Sequence, residues 1–178
     1  MMGDRRQSGE RHLATVLEHV RLENDYDFDR CIAVFQHPRY EIVPTGEVHD
    51  GKAGVGGFLE ENRSAFADFH FEAQRTSPAE DVVLVKGLFT GTHTGTWRGL
   101  PATGRAVRLR MAIVFEFAGE ALVCERVYFD LGTALRQLGV ARDPLSPAGR
   151  LTAVVNHPIT IARALLRGLF KRPRRGNE

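Results

Sequence analysis

Between Phe69 and Asp130 the chain offers four long segments rich in Val, Phe, Leu and Thr, at 69–75, 82–94, 105–117 and 121–130, divided by Pro, Gly or Asp. Segments of that composition, following one another through short connections, predict an antiparallel meander with Ala118-Gly119-Glu120 as its tightest hairpin. Such a sheet must bury one face, and the rest of the chain has to supply the cover. Upstream it offers helices. Leu13, Val16, Leu17 and Val20 recur at helical spacing, and Phe28, Ile32 and Phe35 resume the pattern after turn formers at 24–29. Val55, Phe58, Leu59, Asn62 and Phe66 share one face of a third helix. Tyr40 to Val43 is a short strand candidate, and Pro44, Gly46, Asp50 and Gly51 punctuate the way to that helix. The expected product is an α+β unit over 10–140, a curved antiparallel sheet wrapped around N-terminal helices with a cavity between them. An apolar cavity carrying a few polar groups is the usual ligand site.

Composition narrows the classes further. With 43% hydrophobic and 26% charged residues, 178 positions suffice for one core and an appendage. No run of 18 apolar residues occurs, and residues 1–9 are polar, which predicts a disordered N-terminus and a cytoplasmic protein. Cys31 and Cys124 lack CxxC or ligand spacing and read as buried thiols. The seven histidines form no His-x-x-x-His or His/Cys cluster, so no metal is expected. Gly54, Gly56 and Gly57 are not followed by Gly-Lys-Ser/Thr, and neither a Gly-x-Ser-x-Gly elbow nor a dinucleotide fingerprint is present; no cofactor is expected. Charge is uneven. Residues 1–140 hold 16 Lys/Arg against 20 Asp/Glu, whereas 141–178 hold 8 against 2. The extension from 141 reads as a basic amphipathic helix, broken at Asn156-His157-Pro158 and ending in Lys171-Arg172-Pro173-Arg174-Arg175. That combination suits a peripheral membrane or protein contact through 150–175, or packing on its own domain; nucleic acid is not expected, because the basic run has no interleaved aromatics.

Several side chains could carry chemistry. Asp130 ends an apolar strand, where Val127, Tyr128 and Phe129 would desolvate its carboxylate and tune it as a general base. Equally, Asp is a favoured N-cap for the helix expected over 133–139. Period-2 alternation groups Val123, Glu125, Val127 and Phe129 against Cys124, Arg126, Tyr128 and Asp130, which sets Asp130 opposite the more apolar face. A β-bulge near the strand end would re-aim it; without one, Glu125 is the better acid. The same alternation sends Arg108 and Arg110 to the solvent or subunit face. His93, an imidazole titratable near neutral pH, is expected to stand near the cavity mouth, either as a satisfied structural group or as a donor to a substrate oxygen. Trp97 and Tyr128 could stack on a flat substrate, or Trp97 could pack under the Gly-Leu-Pro turn. Phe58 and Met111 are apolar lining candidates, and Tyr26, Tyr40, His49 and His70 are polar ones.

Gly91-Thr92-His93-Thr94-Gly95, the turn Gly99 to Arg105, and Tyr128-Phe129-Asp130 followed by Leu135-Arg136-Gln137-Leu138-Gly139 together resemble the SnoaL-like polyketide cyclase or ester cyclase family. The resemblance implies the cone-shaped NTF2-like α+β fold and a cofactor-independent cyclase or isomerase acting on a hydrophobic, polyketide-like molecule. It implies Asp130 as the acid/base that removes a proton beside a carbonyl, with His93 polarising that carbonyl. A homodimer is expected, because exposed sheet faces in this fold are commonly paired. One departure bears on the pocket wall: the family pattern usually carries Trp four residues before the aspartate, and here that residue is Arg126. Three alternatives share the fold. Epoxide-hydrolase-like chemistry needs an aspartate two residues after an arginine, and Arg110 is followed there by Ala112. Ketosteroid-isomerase-like chemistry would pair Asp130 with Tyr26 or Tyr40. The third alternative is a non-catalytic binding or assembly module.

Overall fold

The computed structural model describes residues 2–170, with side chains for 7–167, in two compact units that divide after Gly139. The first unit contains helices α1 (Met2–Asn24), α2 (Phe28–Ala33), α3 (Gly51–Ala65) and α4 (Leu131–Gln137). Its strands are β1 (Arg39–Ile42), β2 (Glu47–Asp50), β3 (His70–Pro78), β4 (Val82–Thr92), β5 (Ala106–Ala118) and β6 (Ala121–Phe129). They form one curved, unclosed sheet in the order β2-β1-β6-β5-β4-β3. β3 to β6 are the meander that the four apolar segments predict, and the three preceding helices cover its inner face.

Two features differ from expectation. The turn residues at 44–51 flank an additional edge strand, β2, which pairs with β1 through Tyr40↔His49. β1 itself pairs in parallel with β6, Tyr40↔Glu125 and Ile42↔Val127, so the sheet is mixed rather than wholly antiparallel. A parallel partner requires a long crossover, and here α3 and the first three meander strands provide it.

Helix α1 also runs through residues 2–9, which the polar composition reads as disordered. What holds it lies on the β5–β6 hairpin. Arg11 grips Glu120 through two hydrogen bonds of 3.0 and 2.8 Å, and the His12 ring stacks on Phe117 at 4.0 Å with Nε2 2.9 Å from the Gly119 carbonyl. This docking sets the rotation of α1 about its axis. Its buried face is His12, Val16, His19 and Val20, whereas Leu17, which the apolar pattern places inside, is 44% exposed. Two histidines therefore enter the core from α1.

Alternation along β5 is regular: Val107, Leu109, Ile113, Phe115 and Phe117 point inward, and Arg108 and Arg110 point outward as expected. A bulge falls at the start of β6, where Phe117 faces Leu122 but Glu116 faces Cys124, leaving Val123 as the extra residue. From there alternation is strict, so Glu125, Val127 and Phe129 share the inner face and Tyr128 lies outside, 40% exposed.

One end of the interior is closed by α4, whose Gln137 amide donates to the Arg108 carbonyl at 3.0 Å and accepts from the Arg108 N–H at 2.7 Å. Next to it, reciprocal backbone hydrogen bonds between Trp97 and Leu100, with φ of 48° at Arg98 and 78° at Gly99, build a two-residue type I′ turn. The second unit holds α5 (Pro147–Asn156) and α6 (Pro158–Phe170). Ser146 caps α5 by accepting the Gly149 N–H at 3.0 Å. Among the described residues no helix is long and apolar enough to cross a membrane.

Candidate active site

Two adjoining chambers lie between α1, α3 and the inner face of the sheet. The first is walled mainly by apolar side chains, among them Ile42, Phe66, Trp97, Leu109 and Leu138, with Arg98 at its edge. The second adds Glu23, Asn24 and Glu125 to a wall of Val20, Phe71, Ile113 and Phe115. Phe58, Asn62, Phe89, Met111 and Val127 line both, so a single elongated molecule could touch the two. Most of the polar groups have structural partners. Asn24 donates to the Phe71 carbonyl at 2.9 Å and accepts the Phe71 N–H at 2.8 Å, extending the edge of β3. Arg98 is held by Glu47 and Glu61 and leans over the Phe58 and Trp97 rings. The Asn62 amide has no hydrogen-bond partner among the described residues, although both chambers border it.

Behind Glu125 sits a buried polar cluster. Glu125 is 3% exposed and His19 and Tyr40 are fully buried. His19 Nε2 lies 2.9 Å from Glu125 Oε2, 3.0 Å from the Tyr40 hydroxyl and 3.7 Å from Glu23 Oε2, while Nδ1 lies 3.3 Å from the Cys31 carbonyl. The parallel β1–β6 pairing puts Tyr40 beside Glu125, and helical spacing puts Glu23 one turn beyond His19. Burial alone would drive the His19 proton off, but the contacts from Cys31 and from the Glu125 carboxylate outweigh it and hold the imidazole well above its ordinary pKa. Glu23 departs from an ordinary carboxylate. Desolvation, reinforced by the neighbouring Glu125 charge and only partly offset by His19, pushes it up to about 7. Tyr40 is raised by burial and by the same carboxylates, so its hydroxyl stays protonated. With Nδ1–H directed at the Cys31 carbonyl, Nε2 can donate to Glu125 when protonated and accept from Tyr40 when not. Such an arrangement can hold a proton, release it at neutral pH, and keep it out of bulk water.

His19, Glu23 and Cys31 also offer one ligand atom each within 4.8 Å of one another. The fit to a metal ion is poor. Cys31 Sγ is nearer Nδ1 (3.3 Å) than Nε2 (3.9 Å), whereas Glu23 and Glu125 approach Nε2, so sulfur and carboxylates address different ring nitrogens. Burial also keeps the Cys31 thiol protonated, and the thiolate is the ligand.

A family model described as SnoaL-like polyketide cyclase matches residues 12–138, which is most of the first unit and contains every group described above. The chain belongs to this family. Solved structures agree on the fold at low sequence identity. A phenazine biosynthesis-related protein from Pseudomonas aeruginosa superposes with a TM-score of 0.68 at 16% identity, covering 84% of this chain and 98% of its own. A candidate polyketide cyclase from Xanthomonas campestris pv. campestris gives 0.67 at 17% identity, over 74% of this chain and 98% of its own. A protein with a ketosteroid isomerase-like fold from Catenulispora acidiphila gives 0.61 at 16% identity, over 71% and 92%. The first unit therefore has the NTF2-like α+β fold. No curated protein matches the chain in sequence.

For a SnoaL-like chain, the side chains singled out by sequence divide sharply. Phe58, Trp97 and Met111 line the cavity, and Glu125 is in its wall. Tyr40 stands behind that wall, against His19. Asp130 is not in the cavity. It caps α4, with Oδ1 accepting the Thr133 N–H at 3.1 Å and Oδ2 accepting the Thr133 hydroxyl at 2.6 Å; these bonds hold its carboxyl below the usual range. The bulge that could have re-aimed it lies at the other end of β6. Tyr128 shares the outer face. His93 is buried but borders neither chamber: its Nδ1 accepts the Thr103 N–H at 3.3 Å, its ring packs on Phe66, and desolvation lowers its pKa, so it is a neutral brace. Tyr26 donates to the Phe69 carbonyl at 2.7 Å beneath the Arg63 guanidinium. His49 lies under Glu47 against Phe58, and His70 is exposed. His19, Glu23, Asn62 and Arg98 are site residues that sequence reasoning misses. The readable signal is His19 and Glu23 four residues apart on a helix whose other face is charged; Asn62 already sits on the apolar face of α3.

Proposed function

We propose that this SnoaL-like protein is a cofactor-independent cyclase or isomerase acting by proton transfer on a hydrophobic, polyketide-like carbonyl compound, with Glu23 and Glu125 as its acid/base pair. One observation carries the reading: a carboxyl with a pKa of about 7, Glu23, shares a desolvated cavity wall with a carboxylate paired to His19 at 2.9 Å. A carboxyl whose desolvated surroundings keep it protonated, set beside a second carboxylate, is an arrangement that lets one group donate a proton while the other accepts. The apolar first chamber holds the substrate body, flanked by Phe58, Trp97 and Met111. In the second, a carboxylate removes a proton from the carbon beside a carbonyl, and the electron pair moves onto the carbonyl oxygen. The unpartnered Asn62 amide is available to donate to that oxygen. In a cyclase the enolate carbon then attacks a second carbonyl of the same molecule, forming the carbon–carbon bond, and protonated Glu23 gives its proton to the alkoxide. In an isomerase the proton returns to a different carbon. Neither route needs an outside oxidant or reductant.

A test begins with flat aromatic and alicyclic β-dicarbonyl compounds, scored by thermal stabilisation of the protein. Binders are then followed by NMR for exchange of the proton beside the carbonyl in deuterated buffer. Glu125→Gln should slow exchange by about 10²–10⁴, the usual worth of a positioned acid or base. Exchange within fivefold of wild type would refute the assignment, and binding without exchange by the wild type would leave a binding module.

A further inference from the structure

We infer that the α5–α6 unit is an interfacial anchor that seats the protein on anionic lipid surfaces. Soluble helices hide their apolar stripe, yet here it is displayed. On α5, Leu151 and Val155 are 65% and 69% exposed; on α6, Ile159 and Leu165 are each 66% exposed. These residues are not scattered. Leu151, Val154 and Val155 follow the i, i+3, i+4 spacing of one helix face. On α6, Leu165 lies roughly 160° around the axis from both Arg163 and Arg167, whereas Ile159 and Leu166 come within about 60° of Arg163, so the arginines run along the border of the aliphatic face.

Charge selects the occupant. From 144 onward, Lys or Arg at 150, 163, 167, 171, 172, 174 and 175 are opposed by Glu178 alone. The run at 171–175 lies outside the described residues and enters only through its charge. An acidic protein surface would satisfy the cations and leave the Leu and Ile side chains in water, and a second copy of α6 would cover the aliphatics while stacking like charges. A membrane interface containing anionic lipid meets both requirements: the apolar face sinks to the acyl boundary and the arginines stay at the phosphates. At 10 and 13 residues, α5 and α6 are far short of the ~20 needed to span, so the unit would lie in the plane of the interface.

The full-length chain should float with phosphatidylcholine vesicles containing 25% phosphatidylglycerol in 0.1 M salt, and not with pure phosphatidylcholine. Salt at 0.5 M should release it, because the attraction is screened beyond a few ångströms. Arg163→Gln with Arg167→Gln should lower the partition coefficient about thirtyfold, and Leu165→Asp with Leu166→Asp should abolish it while leaving the melting of the first unit unchanged. The inference is overturned if the wild type fails to float with the anionic vesicles, or if binding survives the Leu165/Leu166 change. It is overturned equally if sedimentation velocity shows that this change dissolves a dimer that forms without lipid, which would give the face to a second copy.

Discussion

Glu23→Gln should stabilise the protein at alkaline pH and do nothing at acid pH. In an unfolded chain the Glu23 carboxyl titrates near 4.5, and in the fold it titrates at about 7, because ionisation there must occur in a desolvated wall beside Glu125. A tenfold change in an acid dissociation constant is worth about 1.4 kcal/mol, so ionising Glu23 in the native state costs about 3 kcal/mol more than in the unfolded one. The direction follows from linkage. A group whose folded pKa is raised supports the fold fully below its unfolded value and withdraws that support as pH rises through its folded value. For Glu23 the loss spans pH 4.5 to about 7. Glutamine has nearly the same shape and stays neutral throughout, so it imitates the protonated acid at every pH. Urea unfolding of both proteins from pH 4 to 8.5 should give coincident stabilities at pH 4 and a gap that widens to about 3 kcal/mol, in favour of the variant, at pH 8. Taking the difference cancels most of the His19 contribution, which falls in the same direction because its folded pKa is also raised. Parallel curves, or a variant less stable than wild type at pH 8, would show that Glu23 is an ordinary solvated carboxylate and would remove the acid from the proposed pair.

If Glu23 is the proton donor, kcat should fall on an alkaline limb with an apparent pKa near 7 in the wild type, and that limb should be absent in Glu23→Gln. Asp130→Asn should leave turnover within a few-fold, since asparagine is as good an N-cap and the side chain faces away from both chambers; a hundredfold loss would return the role to Asp130. Gly95→Ala should lower the yield of folded protein or its melting temperature sharply, because a Cβ there would come 2.0 Å from the Ser64 carbonyl oxygen, a backbone atom that cannot turn away. Gly57→Ala on α3 meets nothing within 4 Å and should gain about 1 kcal/mol in urea unfolding. A loss there would mean that the surface of α3 is covered.

Much of the first unit is legible in the sequence because local pattern and global fold agree there. The meander declares itself in the composition of 69–130, and α3 in the spacing of Val55, Phe58, Leu59 and Asn62. What cannot be read depends on contacts between residues remote in the chain. The rotation of α1 is set by Arg11 and His12 meeting Glu120 and Gly119, more than a hundred residues away, and that rotation turns His19 and Glu23 inward in place of Leu17. An apolar count alone favours the leucines. The parallel pairing of β1 with β6 is likewise invisible locally, yet it brings Tyr40 to Glu125.

Asp130 and Glu125 show how two local demands decide the fate of an acid. Position alone favours Asp130, at the end of the last long strand and beside aromatic neighbours. But the first residues of α4 need acceptors for their N–H groups, and the residue at the junction supplies one by folding its carboxylate back onto its own chain at Thr133. A side chain engaged in that way cannot also project across the sheet. Glu125 carries no such obligation: it lies mid-strand, where backbone groups are satisfied by β1 and β5, and strand parity leaves its side chain nowhere to go but the interior. There a lone carboxylate would be prohibitively costly, and the His19 imidazole 2.9 Å away, with Tyr40 on the same nitrogen, makes its burial tolerable. Because imidazolium and carboxylate neutralise each other, the additional charge that the cluster would acquire on ionisation falls on Glu23, and there the desolvated wall and the neighbouring Glu125 charge keep a proton in place into the neutral range.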